Sequence, residues 1–267
     1  MSRLTVIKVG GGEGIDYQQF CEDLSGHRDY VLVHGGSSKL NEVSTMLGHP
    51  PRFVTSVSGH QSRFTDRRTM EMFNMVYAGY ANKMIVEILQ RLGVNAIGLT
   101  GIDGRLVEGD QKGSLKIIED GRRQVLRGDL SGIIRKVNVG LLELLLDNGY
   151  VPVLTPPAIS KEGVAINVDG DRFAAHVAMA LKADQLLLLS NVPGLLQDVA
   201  DEGSLIPSLE ADRLDEFIET VALGRMKKKL LGAKGSLEGG VSRVMVGDAR
   251  GASPVTDALS GRGTAIS

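Results

Sequence analysis

Glycines cluster at the ends of three short apolar runs that we interpret as strands. Gly10, Gly11 and Gly12 follow the first run, Gly35 and Gly36 follow the second, and two further glycines follow the third. The carboxyl ends of parallel strands share one sheet edge, where ligands bind. A glycine loop that enters a helix offers N–H groups and the positive end of the helix dipole, which favour phosphate or carboxylate. Two such loops indicate an anion site, although a single loop could serve only as a tight turn.

Two groups of lysines could neutralise such an anion. Lys8 ends an apolar run, where an unpaired ammonium is costly to bury, so it needs a structural anion or a ligand's anion beside it. Residues 224–229 open a predicted helix with four cations, at the end where the helix dipole disfavours positive charge. This run is either a solvated charged face or part of a polyphosphate site.

Polar residues also stand at two other junctions between strand and helix. Asp169 and Asp171 precede a predicted helix, and residues 190–195 follow a predicted strand. Taken singly these motifs are weak, because Asp169 could be only a helix N-cap and Pro-Gly only a turn. His34 is interpreted as a structural residue at a strand end, and the histidines show no metal-ligand spacing. The chain lacks the P-loop, dinucleotide and protein-kinase motifs.

The elements that must position these residues alternate along the chain. Short runs rich in Val, Ile and Leu predict strands buried on both faces at residues 4–9, 30–33, 96–99, 151–154, 185–189 and 243–246. Segments of helical period lie at about 16–25, 37–47, 66–92, 138–148, 169–182 and 225–238. The alternation predicts an α/β fold, with helices on both faces of a mostly parallel sheet.

Two segments interrupt this alternation. Within residues 105–135, the dipeptide Asp120-Gly121 between apolar pairs predicts a hairpin, because Asp-Gly tolerates the positive φ of a type I′ turn. Residues 155–168, with two prolines, predict a loop or a second small hairpin where the chain passes between lobes. We therefore expect one domain over residues 1–267, with lobes of about 1–160 and 161–267.

Composition excludes several classes of protein. The 34 glycines among 267 residues show no three-residue period and there are only 8 prolines, which excludes collagen and disorder. A net charge of -2 argues against a general nucleic-acid binder. Cys21 alone cannot form an internal disulfide, and no run approaches the roughly 20 apolar residues that span a bilayer. We expect a soluble cytoplasmic protein that binds neither nucleic acid nor membrane.

The predicted helix at 66–92 carries more apolar residues than one narrow stripe can hold. These residues are Met70, Met72, Phe73, Met75, Val76, Tyr77, Met84, Ile85, Ile88 and Leu89. One face can pack on the sheet while another buries side chains against a second subunit, as in the common two-fold dimers. We expect a homodimer through this helix, and a fully intramolecular core is the alternative.

Taken in order, six segments resemble the amino acid kinase family, in particular its acylglutamate kinase branch. They are Lys8-Val9-Gly10-Gly11-Gly12, Val33-His34-Gly35-Gly36, Arg63 with Thr65-Asp66, Asn167 with Asp171, Leu189-Ser190-Asn191-Val192-Pro193-Gly194, and Met226 to Lys229. The resemblance extends from Lys8 to about Thr264. It implies a three-layer αβα sandwich around an open, mostly parallel, eight-stranded sheet. It also implies that ATP, bound with Mg²⁺, phosphorylates a carboxylate to an acyl phosphate.

The resemblance also assigns roles in phosphoryl transfer. Lys8 and Lys229 would stabilise the charge of the transferring phosphoryl group, and Asp171 would hold both lysines. Phosphoryl transfer depends mainly on positioning and charge neutralisation, so these groups and the glycine N–H donors suffice without a covalent intermediate. Retention of all three residues argues against a non-catalytic sensor of the same fold.

The remaining roles concern the two substrates. In the N-terminal lobe, Gly35 and Gly36 would bind the acyl substrate through backbone N–H groups, Arg63 would pair with its α-carboxylate, and Asn167 would lie near it. The nucleotide would lie mainly on the C-terminal lobe, against Gly10, Gly11, Ser190, Asn191, Val192, Gly194, Leu195 and Met226. The two glycine loops would then face each other across the reaction.

Residues 59–66 depart from the acylglutamate kinases where a Leu-Arg-Val type of segment is expected. Together with residues 48–53 and 154–158, they resemble the branch that phosphorylates α-aminoadipate carried on the small acidic protein LysW in lysine biosynthesis. An acidic carrier needs a basic docking surface, for which the candidates are Arg52, Arg63, Arg67, Arg68, Arg122, Arg123 and Arg127. N-acetylglutamate kinase of arginine biosynthesis is the alternative.

Overall fold

A central sheet and the helices on its two faces make up most of the computed structural model, which describes residues 3–57, 59, 61–119, 122–198, 200–220 and 224–267. The strands are β1 Thr5–Val9, β2 Tyr30–His34, β3 Phe53–Ser56, β4 Gln61–Arg63, β5 Ala96–Thr100, β6 Val107–Gln111, β7 Ser114–Glu119, β8 Arg122–Arg127, β9 Gly132–Val137, β10 Val151–Thr155, β11 Ala158–Ser160, β12 Ala165–Ile166, β13 Gln185–Ser190, β14 Leu195–Leu196, β15 Leu205–Ile206, β16 Ser208–Leu209, β17 Arg243–Asp248 and β18 Thr264–Ile266. The helices are α1 Tyr17–Ser25, α2 Ser37–Met46, α3 Arg67–Phe73, α4 Asn82–Arg91, α5 Val139–Asp147, α6 Gly170–Ala180, α7 Leu214–Thr220, α8 Gly224–Glu238 and α9 Pro254–Leu259.

The central sheet has eight strands in the order β16-β18-β17-β13-β1-β2-β10-β5. Every neighbouring pair is parallel except β17 with β18. Successive side chains of its strands enter two different cores, as Val6 and Ile7 of β1 do. Helices α1, α4 and α9 cover one face, whereas α5, α6, α7 and α8 cover the other. The predicted α/β sandwich is confirmed.

Each of the six predicted strands and six predicted helices is present, and no end is displaced by more than two residues. Both predicted hairpins also form, one from β7 and β8 and one from β11 and β12. The Asp120-Gly121 turn itself lies outside the described residues. Several elements were not predicted from the sequence, and most of them are short and carry little periodic signal. They are α7, α9, the hairpin of β3 and β4, and strands β6, β9, β14, β15, β16 and β18.

The predicted helix at 66–92 contains a π-helical segment, Asn74–Ala81, that joins α3 to α4. Tyr77 in this segment stacks on Phe73 with ring centroids 3.9 Å apart. The Tyr77 ring also packs on the second glycine loop, since a Cβ atom on Gly36 would lie 3.1 Å from Tyr77 Cδ2. Such wide turns often occur near functional sites, and this one brings an aromatic ring to the candidate site.

Candidate functional site

Two lysines from different elements meet on one carboxylate. Lys8 Nζ, on β1, lies 2.8 Å from Asp171 Oδ1, and Lys229 Nζ, on α8, lies 3.2 Å from Asp171 Oδ2. Asp171 is in the first turn of α6, which Asp169 caps by accepting hydrogen bonds from the N–H groups of residues 171 and 172. Lys8, Asp171 and Lys229, which were predicted to act together, are therefore in contact.

The electrostatics of this triad follow from its burial. The side chains of Lys8, Asp171 and Lys229 expose 11%, 13% and 6% of their surface. Burial alone would raise the pKa of Asp171, but the charges of Lys229 and Lys8 outweigh it and hold the pKa well below its usual range. Burial lowers the pKa of Lys229, while Asp171 opposes that effect. Two ammonium groups on one carboxylate leave a net positive charge that suits an anionic ligand.

The two glycine loops are in direct contact. A Cβ atom on Gly11 would lie 2.7 Å from the carbonyl carbon of Gly35 and would overlap the backbone of Gly36. The loops continue the sheet hydrogen bonding, because the Gly10 N–H donates to Leu189 and the Gly35 N–H donates to Val9. At this edge of the sheet the two loops therefore form one continuous backbone surface. Only glycine at position 11 permits this approach.

This backbone surface presents unpaired donors. Within the described part of the chain, the N–H groups of Gly11, Gly12 and Gly36 donate to no acceptor. Beside them, the buried hydroxyl of Ser190 has no partner among the described residues. The side chain of Asn191 borders Gly12, with its Cγ 3.4 Å from the position of a Cβ. Several donors at the end of the central strands therefore fit an anionic group.

Arg63 and Asn167 are linked through Thr65. The Arg63 guanidinium donates to Asn41 Oδ1 and lies over the Phe53 ring, 5.0 Å from its centroid. Asn167 Nδ2 donates to Thr65 Oγ1 at 2.9 Å, and the same hydroxyl donates to the Arg63 carbonyl at 3.3 Å. The Thr65 hydroxyl thus links Asn167 to the backbone of Arg63, which is far away in the sequence.

A profile of the amino acid kinase family matches residues 3–248 of the chain. The chain belongs to the amino acid kinase family. It is 58% identical to LysW-aminoadipate kinase of Deinococcus radiodurans over 99% of this chain and 91% of that protein. It is 49% identical to LysW-aminoadipate kinase of Thermus thermophilus over 98% of this chain and all of that protein. The resemblance inferred from the spaced motifs is confirmed.

Other similar proteins are more distant. Acetylglutamate kinase of Methanopyrus kandleri is 38% identical over 98% of this chain and all of that protein. Among solved structures, N-acetylglutamate synthase of Neisseria gonorrhoeae matches with a TM-score of 0.80 and 24% identity, over 99% of this chain and 59% of that chain. The latter likeness concerns the fold alone.

The residues that we expect to contact the nucleotide differ in how deeply their side chains are buried. The Leu195 side chain is fully buried in the core, and its N–H donates to Thr264 Oγ1 at 2.9 Å. Gly194 allows this packing, because a Cβ there would lie 2.7 Å from the same hydroxyl. Met226 is half-buried against the same core, and residues 221–223 are outside the described part. Any nucleotide contact of Leu195 would thus involve its backbone.

Asp129 is a site residue that the sequence analysis missed. Its buried carboxylate accepts hydrogen bonds from the N–H groups of Thr65 and Ser131, each at 3.0 Å. It thereby holds the segment that carries Arg63 next to the segment that carries Asn167. No periodicity or motif marks Asp129, because its role depends on a contact 64 residues away in the sequence.

The described residues contain no group of three or more His, Cys, Asp or Glu side chains that could hold a metal ion. Asp171, the carboxylate at the centre of the site, already contacts two lysines. Mg²⁺ typically binds proteins through one or two carboxylates and substrate phosphates. With a single carboxylate at the centre of the site, these residues fit a metal ion that is held mainly by the phosphates of a nucleotide.

Proposed function

We propose that this chain transfers the γ-phosphoryl group of ATP to the side-chain carboxylate of α-aminoadipate, carried through its amino group on LysW, in lysine biosynthesis. The contact of Lys8 and Lys229 with one buried carboxylate beside unpaired backbone N–H groups carries the phosphotransfer part of this proposal. The 58% and 49% identity to LysW-aminoadipate kinases supports the choice of substrate.

The reaction needs no proton transfer. A carboxylate oxygen of the acyl substrate attacks the γ-phosphorus, the bond from that phosphorus to the β,γ-bridging oxygen breaks, and ADP leaves with the bonding electrons. Lys8, Lys229 and the N–H groups of the glycine loops stabilise charge on the transferring group, while Asp171 holds the two ammonium groups. When bound with the nucleotide, Mg²⁺ would supply additional positive charge.

The acyl substrate is positioned by groups from the other end of the site. Gly35 and Gly36 border the reacting carboxylate, Arg63 pairs with the α-carboxylate, and Asn167 lies beside it. The nucleotide lies against Gly10, Gly11, Ser190, Asn191, Val192, the backbone of Gly194 and Leu195, and Met226. The acyl substrate then occupies the lobe of about 1–160 and the nucleotide that of about 161–267.

The carrier docks on the exposed face of the sheet formed by β4, β3, β7 and β8. Paired residues of neighbouring strands share a face, so the pairs Phe53 with Arg63, Ile118 with Arg123, Lys116 with Val125 and Ser114 with Arg127 all lie on one side. The other side is buried through Val54 and Ile117.

The charges on this face suit an acidic partner. Lys116, Arg123 and Arg127 are exposed, and none of them pairs with an acidic group among the described residues. The apolar side chains Phe53, Ile118 and Val125 between them are 45%, 43% and 60% exposed. The face continues to Arg63, so a docked carrier would bring its amino acid to the substrate site. Arg52 and Arg67 already pair with Glu119 and Glu71.

The enzyme forms a homodimer through α3, the π-helical segment and α4. Met75, Tyr80 and Met84 on this helix are 54%, 52% and 42% exposed, whereas Val76, Tyr77 and Ala81 are buried. A second copy would cover these exposed side chains. The enzyme acts in the cytoplasm, where its single cysteine stays a thiol. Among the described helices, none is long and apolar enough to cross a membrane.

An alternative function is phosphorylation of N-acetylglutamate in arginine biosynthesis, which the 38% identity to an acetylglutamate kinase favours. The two substrates differ in the group on the amino nitrogen, LysW or acetyl, and in one methylene of the side chain. A hydrophobic pocket discriminates one methylene by only about 1–3 kcal/mol. The site could therefore act on both.

Trapping of the acyl phosphate with hydroxylamine tests the function directly. N-acetylglutamate, N-acetylaminoadipate and carrier-bound aminoadipate are compared side by side with ATP and Mg²⁺. We expect the highest kcat/KM with the carrier-bound substrate. Activity with free N-acetylglutamate alone would establish the alternative, and no hydroxamate from any of the three would refute both.

A further inference from the structure

One phenol connects the two glycine loops. The Tyr17 hydroxyl, at the start of α1, lies 3.0 Å from the Gly10 carbonyl oxygen and 3.3 Å from the Gly35 carbonyl oxygen. Asp16 fixes the start of this helix by accepting hydrogen bonds from the next turn. Burial raises the pKa of Tyr17, so the hydroxyl keeps its proton and donates to this pair of carbonyls.

The two carbonyls control the orientation of two N–H groups. In a planar trans peptide, the carbonyl and the N–H of the next residue point in opposite directions. A donor on the Gly10 oxygen therefore turns the Gly11 N–H away from Tyr17, and a donor on the Gly35 oxygen does the same for Gly36. These are two of the N–H groups that have no acceptor in the described chain.

His34 is a second donor to the same loop. Its Nδ1 lies 3.0 Å from the Gly35 carbonyl oxygen, and its Nε2 lies 3.0 Å from Asn82 Nδ2. Lys83 Nζ, which can only donate, contacts Asn82 Oδ1, so the amide nitrogen of Asn82 faces the imidazole. The proton of the neutral ring is therefore on Nδ1 and is donated to Gly35.

We propose that Tyr17, assisted by His34, is a positioning residue that holds the Gly11 and Gly36 N–H groups toward the transferring phosphoryl group. It touches neither substrate and acts through the two peptide planes. The inference rests on the proposed phosphotransfer function. Donors aimed at developing charge act mainly in the transition state, so loss of their orientation lowers kcat more than it weakens ground-state binding.

The test compares Tyr17→Phe with Tyr30→Phe. Tyr30 is a matched control, because it is also buried but its hydroxyl has no hydrogen-bond partner among the described residues. We expect Tyr17→Phe to lower kcat by roughly tenfold, with KM for ATP changed by less than about threefold. Tyr30→Phe should keep both values within about twofold. Melting temperatures of the two variants show whether either change reflects unfolding.

A binding measurement separates this inference from the proposed function. Calorimetric titration compares ADP alone with ADP plus aluminium fluoride, a mimic of the transferring phosphoryl group. We expect Tyr17→Phe to retain ADP affinity but to lose about tenfold of the extra affinity conferred by aluminium fluoride. If Tyr17→Phe behaves as Tyr30→Phe does, the positioning role is refuted while the function stands. A wild-type protein that binds no nucleotide refutes both.

Discussion

Lys229 Nζ lies 3.2 Å from Asp171 Oδ2, although 58 residues separate the two in the sequence. This contact accounts for one of the four cations at the start of α8, where the helix dipole disfavours positive charge. Lys229 is buried and compensated by a carboxylate of the neighbouring helix α6. A cation held in this way cannot be an ordinary solvated surface charge. Asp171 also connects it to Lys8, two residues before the first glycine loop, which fits a role in neutralising phosphate.

Replacing Asp171 tests whether one carboxylate holds both lysines. Asp171→Asn leaves two buried ammonium groups without their common anion. We expect a loss of about 3–5 kcal/mol of stability and at least a hundredfold fall in kcat. The control is Asp215→Asn, which breaks the exposed contact with Lys234 and should leave both stability and kcat nearly unchanged. Urea unfolding and steady-state kinetics measure the two effects. Equal behaviour of the variants would contradict the assigned role.

Gly11→Ala tests the contact between the glycine loops. The added methyl group would overlap the backbone of Gly36, so the loops must separate and kcat should fall by at least about tenfold. Gly235→Ala is the control, since Gly235 lies within α8 and a Cβ there meets nothing within 4 Å. Removal of a helical glycine should stabilise the fold by about 0.5–1 kcal/mol and leave kcat unchanged. A fully active Gly11→Ala enzyme would show that the loops need no such approach.

Because His34 is buried, we expect folding stability to depend on pH. Burial lowers the pKa of His34 from 6.5 to about 4. Above pH 6.5 the ring is neutral in both the folded and unfolded states. As the pH falls from 6.5 to about 4, only the unfolded state binds the proton, so stability is lost over this range, by roughly 3 kcal/mol at most.

The variant His34→Asn separates this contribution from other titrations. It removes the titrating ring but keeps an amide nitrogen near the position of Nδ1. Urea unfolding at pH 7, 6 and 5 should show a smaller loss of stability with falling pH in the variant than in the wild type. The cavity that the smaller side chain creates lowers stability at every pH and does not alter this difference. Identical pH dependence in both proteins would assign the effect to other groups.

Charge reversal tests the docking face. Arg123→Glu should raise the KM for carrier-bound aminoadipate about tenfold at low ionic strength, while the KM for ATP stays the same. Arg28→Glu makes the same change of charge at an exposed position just before β2, outside the docking face, and should leave both constants unchanged. Added salt should weaken the carrier interaction of the wild type. An apparent affinity insensitive to salt would exclude docking by charge.

Much of the fold follows from local patterns. The central strands are apolar runs buried on both faces, and Asp-Gly marks a hairpin because few other residues adopt its turn conformation. The short helix α9 and the hairpin of β3 and β4 escaped prediction, because a few residues give no measurable period and tertiary contacts stabilise them. Likewise, no local pattern reveals a π-helical segment, whose Tyr77 packs on Gly36.

The sequence by itself determined the α/β class, the two glycine loops at strand ends and the residue types of the site, because these depend on short-range periodicity and on spaced motifs. Only the tertiary structure decided which groups meet. Lys229 reaches Asp171, Asn167 reaches Thr65 and Tyr17 reaches two glycine carbonyls because the strand order and helix packing bring distant segments together. Such contacts depend on how the elements pack in three dimensions. The spacing of residues within one segment of the chain therefore does not predict them.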